Sequence, residues 1–192
     1  MLHLNCPTDE GWFDRVKDHL PALLLDHTHL EKRAASTAMS MIFRYADQPE
    51  LARKLSEVVR EEMDHFERML DQLQQRGIRY ERAEPAPYAG HMVRQASKQE
   101  PEAMLDKLIV AAMIEARSCE RFQILSQRVD DPALAQFYAE LYVDEARHHT
   151  LYTSMARAYY DEAQVQEALR VWGEREVEAL KAGKGQPRLH SW

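Results

Sequence analysis

The chain has 192 residues, 45% hydrophobic and 30% charged, with a formal net charge of −7. That length suffices for one domain with a substantial core, and the acidic balance argues against a surface that binds nucleic acid everywhere. Six Gly and eight Pro among abundant Ala, Leu, Glu, Arg and Gln exclude a sheet-rich fold and point to an almost entirely helical chain. Two widely spaced cysteines, Cys6 and Cys119, read as reduced thiols rather than a disulfide framework. No run approaches membrane-spanning length, and Asp, Glu and His near the start stand where a secretory signal needs an apolar core. The expectation is a cytoplasmic protein with no membrane contact.

Taken in order, Thr8-Asp9-Glu10 reads as a cap opening a short helix to about His19. Pro21 suits the first turn of a long helix to about Tyr45. Ala46-Asp47-Gln48-Pro49 is a turn, and a second long helix runs from Pro49 to about Gln75, stopped by Gly77. Residues 77–100, with Pro85, Pro87 and Gly90, read as a long connection holding a short helix from Met92 to Lys98. A third long helix covers Pro101 to Arg128, Asp130-Asp131-Pro132 makes a second tight turn, and a fourth continues to about Tyr160. A last amphipathic helix spans about Glu162 to Ala182, and the tail from Gly183 to Trp192 is expected to be poorly ordered unless it docks. This predicts one domain over residues 1–192, with a core bundle at about 20–160 and a C-terminal helix and tail at 161–192.

Helical stepping exposes the chemistry. Leu51, Leu55, Val58, Glu62, His65, Met69 and Leu73 form one apolar stripe, interrupted at mid-length by a carboxylate and an imidazole. Leu134, Tyr138, Leu141, Glu145, His148, Tyr152 and Met155 form a second with the same interruption. Glu31 breaks a third stripe of Leu24, Thr28, Ala35, Ala38, Ile42 and Tyr45. Glu115 breaks a fourth of Leu105, Leu108, Ala112, Cys119, Phe122 and Leu125. Four Glu and two His aimed into a core are too costly to bury uncompensated. Two divalent cations would neutralise the carboxylates, leaving about −3 for the rest of the chain. The donor types suit iron or manganese rather than structural zinc. A single Glu-x-x-His is common on solvated helix faces; two copies with two matched glutamates, all on apolar stripes, are not.

The spacing supports one shared site. Glu31 and Glu62 lie about equally far from the first turn, as Glu115 and Glu145 do from the second, which sets each pair at equal height, roughly 20 Å along its hairpin. Two short hairpins joined by a long crossover is an arrangement used by di-metal bundles.

Glu, then Glu-x-x-His, repeated once, resembles the ferritin-like di-iron carboxylate proteins over residues 20–160, and Asp144-Glu145-Ala146-Arg147-His148 is similar to the Asp-Glu-x-Arg-His run of di-iron oxygenases. Length, flanking sequence and the extra terminal helices most resemble the tRNA-modifying hydroxylases that act on 2-methylthio-isopentenyl-adenosine beside the anticodon. The resemblance implies an all-α, ferritin-like four-helix bundle with two irons ligated by Glu31, Glu62, His65, Glu115, Glu145 and His148. It also implies dioxygen as co-substrate, hydroxylation of an isopentenyl group on tRNA, and electrons from a reductase or ferredoxin. Iron handling or peroxide removal by a ferritin-like or rubrerythrin-like protein is the alternative, although a cage needs many subunits and a rubredoxin module more cysteines. A metal-free helical interaction module is the third reading.

Around the ligands, Asp144 and Glu61 each lie four residues before a histidine, as surface charges or as acceptors that orient an imidazole, and the resemblance favours Asp144 in the orienting role. His149, rotated about 100° from His148, is expected at the surface, as is Glu120. Phe66, Phe122, Tyr138 and Tyr152 are expected to pack around the metals. Arg76, Arg79, Arg82, Arg94 and Lys98, with a second group at Lys181, Lys184 and Arg188, read as solvated loops unless the substrate is RNA, in which case they are the phosphate contacts to look for. A monomer or small oligomer is expected.

Overall fold

The computed structural model describes residues 2–192. Its helices are α1 (Trp12–Val16), followed by a 3-10 turn at Lys17–His19, α2 (Leu20–Arg44), α3 (Pro49–Gln75), α4 (Pro87–Gln95), α5 (Glu102–Arg128), α6 (Pro132–Tyr159) and α7 (Glu162–Ala182). Among the described residues there is no strand. The chain divides into two compact units: a smaller one, His19–Pro85, and a larger one built from the residues up to Asp18 together with Ala86–Trp192.

The smaller unit is the α2–α3 hairpin. Pro49 opens α3, where a missing N–H costs nothing. The helix ends in a left-handed Gly77 (φ 65°), whose N–H donates to Gln74 O (3.1 Å) while Ile78 N–H donates to Leu73 O (2.9 Å). That pair of bonds is the Schellman arrangement, and a Cβ at the positive φ of Gly77 would strain it. The buried residues of α3 are the seven of the predicted stripe. Each of its apolar members contributes about 1.5–3 kcal/mol by leaving water.

The larger unit holds the α5–α6 hairpin, with α1, α4, α7 and the C-terminal tail. Asp131 caps α6 by accepting from Ala133 N (2.9 Å) and Leu134 N (3.1 Å). Asp161 and Gln164 form a reciprocal capping box at the start of α7. Two buried arginines anchor the unit. Arg117 donates through Nε and Nη2 to Glu176 on α7 (both 2.8 Å), and Tyr88 of α4 donates to the same carboxylate (3.0 Å). Arg121 stacks on Trp12 of α1 (4.2 Å) and donates to Ser191 O (2.7 Å). Burial, then the neighbouring charge of Arg117, lowers the Arg121 pKa to about 9.

Three expectations change. Thr8 does not cap α1: its N–H (3.0 Å) and hydroxyl both donate to Glu120, a tertiary partner that takes the groups a cap would use. The helix in the long connection starts at Pro87 rather than Met92, because Tyr88 and Met92, one turn apart, are its buried anchors. The tail docks: Leu189, His190 and Ser191 are buried, His190 lies against Ser118 (3.0 Å) and the Tyr88 ring (4.7 Å), and Trp12 Nε1 donates to Arg188 O (3.3 Å).

Candidate metal centre

In the smaller unit, Glu31 on α2 and Glu62 and His65 on α3 are buried, and their ligand atoms lie within 4.8 Å of one another. His65 Nδ1 is 3.6 Å from Glu31 Oε2 and 3.9 Å from Glu62 Oε2. The other Glu31 oxygen is hydrogen-bonded to His27, one turn earlier on α2 and fully buried. Burial alone would push the Glu31 carboxyl up; the charge and hydrogen bond of His27, helped by His65, override it and hold the group well below the usual carboxylate range.

In the larger unit, Glu115 on α5 and Glu145 and His148 on α6 repeat the pattern. All three are buried, their ligand atoms lie within 4.8 Å of one another, and His148 Nδ1 is 3.6 Å from Glu145 Oε2. Two donors each about 2.1 Å from one metal are separated by roughly 3–4 Å, so these spacings suit ligands around an ion better than direct hydrogen bonds. Two carboxylates and an imidazole per cluster, with no thiolate, fit a divalent metal such as iron or manganese. Cys119 is no ligand here: its thiol points at Tyr142 O (3.7 Å), and burial, then the charge of Glu145, pushes its pKa up to about 12.

The other residues singled out in the sequence divide. Asp144 is half-buried and accepts from Arg147 Nη2 (3.1 Å), and Glu61 is half-buried on α3. Glu120 is half-buried rather than outward, binding Thr8 and Arg117. His149 is also not at the surface. It is 4% exposed, with Nδ1 2.8 Å from Ala112 O on α5 and Nε2 3.3 Å from His3 Nδ1. Phe122 and Tyr138 are buried and stack at 5.3 Å, Tyr152 is buried, and Phe66 is half-buried against Tyr80 (5.9 Å). Arg79, Arg82, Arg94 and Lys98 are exposed, as are Lys181 and Lys184, whereas Arg188 is half-buried. Arg76 is half-buried and closes the last turn of α3 through Gln72 O (3.2 Å) and Oε1 (2.7 Å). The residue missed outright is His27; its signal was the His-x-x-x-Glu spacing, which puts His27 and Glu31 on one helix face.

The fold is ferritin-like, and carboxylate–imidazole clusters of this kind are what such bundles use to hold metals. A solved structure, protein 43 with aldehyde deformylating oxygenase activity from Synechococcus, superposes with a TM-score of 0.94 at 38% identity, covering 98% of this chain and 95% of that one. Residues 1–191 match the family described as tRNA-(MS[2]IO[6]A)-hydroxylase (MiaE), and the chain belongs to that family. Two relatives named tRNA 2-(methylsulfanyl)-N(6)-isopentenyladenosine(37) hydroxylase align over 98% of it. The one from Pseudomonas putida is 36% identical over 91% of its own length, and the one from Salmonella typhimurium 29% over 87%. Among the described residues no helix is long and apolar enough to cross a membrane.

Proposed function

We propose that this chain is an oxygen-dependent hydroxylase of the isopentenyl group of 2-methylthio-isopentenyl-adenosine in tRNA. It works at a centre of two irons held by Glu31, Glu62 and His65 with Glu115, Glu145 and His148. The observation that carries the reading is the pair of buried Glu and Glu-x-x-His clusters in a chain that matches this hydroxylase family from residue 1 to 191. Bound iron supplies the activation of dioxygen. The balance is one C–H bond and O2, with two electrons and two protons, giving one C–OH and water; a reductase or ferredoxin supplies the electrons.

The side chains do the rest. His27 holds one oxygen of Glu31, leaving the other turned toward His65 and available as a ligand. Asp144 and Glu61 orient imidazoles from outside the ligand set, which fixes tautomer and raises basicity. Phe122, Tyr138, Leu141 and Tyr152 are buried on the same helices as the cluster of the larger unit, at one- and two-turn spacings from its members, and in this reading their apolar surface keeps water away and suits a prenyl tail. In this reading the enzyme works in the cytoplasm, where a tRNA substrate is at hand, and is a monomer or small oligomer.

The test is mass spectrometry of nucleosides from prenylated, methylthiolated tRNA incubated with iron-loaded, reduced protein and labelled dioxygen. One labelled oxygen on the isopentenyl group is expected; an unchanged nucleoside with active iron rejects the substrate. The 38% identity to the Synechococcus protein favours one second reading, aldehyde deformylation. An aldehyde substrate in the same assay decides between them.

A further inference from the structure

The hydroxylase reading leaves open how an acidic protein grips its RNA, and the smaller unit offers a place. Beyond Gly77 the chain turns back over the α2–α3 hairpin and lays Tyr80 against it, 41% exposed. Tyr80 is supported from beneath: its ring is 5.3 Å from that of His29 and edge-on to Phe66 at 5.9 Å. Lys32 Nζ donates to its hydroxyl (2.7 Å), and His29 Nε2 reaches Glu81 O (2.8 Å), tying the next residue down. A tyrosine held by three side chains, His29, Phe66 and Lys32, and still 41% exposed, is not explained by core packing.

Lys32 donates to the Tyr80 hydroxyl, and Lys32, Arg33 and Asp26 act electrostatically on His29 beneath it. Arg79 and Arg82, both exposed, stand one and two residues from Tyr80 along the loop, interleaved with exposed Glu81 and Glu84. Its level along the hairpin also matters. His29 and Lys32 bracket Glu31, and Phe66 follows His65, so the ring lies within about 3 Å, along the helix axes, of the height of those two residues.

Resting on the proposed tRNA substrate, we infer that Tyr80 is a stacking platform for an unpaired anticodon-loop base, with Lys32, Arg33, Arg79 and Arg82 contacting the flanking phosphates. An exposed aromatic ring among cations is how single-stranded nucleic acid is held without reading its sequence. A base parked on Tyr80, level with the Glu31–Glu62–His65 cluster along the hairpin though on another face of it, leaves the neighbouring modified adenosine free to be extruded toward the interior.

The experiment measures binding of an anticodon stem-loop bearing the modified adenosine to the full-length, iron-loaded protein, and turnover of that RNA and of the free modified nucleoside. Tyr80→Leu, which keeps apolar packing on His29 and Phe66 but cannot stack, weakens RNA binding roughly 5- to 100-fold, and Tyr80→Phe restores most of it. The salt dependence of binding is unaltered by Tyr80→Leu, whereas Arg79→Gln and Arg82→Gln each lower its slope by roughly 0.7. The loss of kcat/KM on the RNA in Tyr80→Leu exceeds its loss on the nucleoside by roughly five-fold or more. Equal losses on both, or wild-type RNA affinity in the Leu variant, overturn the platform while leaving the hydroxylase intact. Absence of hydroxylation on RNA and nucleoside alike by the wild-type protein rejects the hydroxylase instead.

Discussion

Replacing Glu176 by Gln strikes the buried pair that fixes α5 against α7, whose Arg117 lies two residues after the proposed ligand Glu115. Glu176 is fully buried and takes two hydrogen bonds from Arg117 and one from Tyr88. Removing one partner of such a pair costs about 3–5 kcal/mol, because the surviving charge stays in the interior. Arg117 keeps Glu120 and Cys6 O (3.1 Å), so the low end applies, about 3 kcal/mol. For a chain of this size that lowers Tm by roughly 6–12 °C. Urea melts of metal-free proteins measure it without interference from metal binding. The triple variant Arg117→Met, Glu176→Leu and Tyr88→Phe, which removes the charge and the orphaned hydroxyl together, recovers most of the loss. A Gln variant within about 1 kcal/mol of wild type, or a triple variant no more stable than it, would refute this reasoning. Neither change touches a proposed ligand, so iron content per folded chain stays at the wild-type value.

Ligand changes act in the opposite sense. Glu31→Ala, Glu115→Ala and His148→Ala each lower iron content and abolish oxygen uptake, and full occupancy with activity in any of them removes that residue from the ligand set. Asp144→Asn leaves the fold intact in circular dichroism but weakens metal affinity or activity roughly 10- to 100-fold, if it orients an imidazole; a wild-type titration returns it to the surface. With its pKa raised by burial, the Cys119 thiol stays protonated at pH 8 and alkylates only on unfolding, while half-buried Cys6 reacts in the native protein. Mass spectrometry of both sites checks this, and fast native labelling of Cys119 would contradict it.

The four members of the two proposed Glu-x-x-His pairs were readable because α3 and one side of α6 each carry strong contrast: an apolar stripe, broken once by Glu and His. Contrast fails on α5, where nearly every residue from Leu108 to Cys119 is buried and a single stripe has no meaning. Arg117 and Arg121, one turn apart on that helix, therefore gave no sign of being interior. His149 was misplaced for the same reason, since α6 is covered on a second side by α5 and the N-terminal segment. The tail is too short for periodicity to speak, and its docking rests on Leu189, His190 and a backbone carbonyl taken by Arg121. The base beneath Tyr80 was invisible too, because it joins α2 to a loop about fifty residues later.

The most direct test of the two-iron centre is electron paramagnetic resonance of oxidised, iron-loaded protein, with iron counted on the same sample. The expected result is two irons per chain and no ferric signal, the mark of two ferric ions magnetically coupled at one centre. An isolated ferric signal matching the iron content, or a folded chain that binds no iron, would contradict the proposed centre.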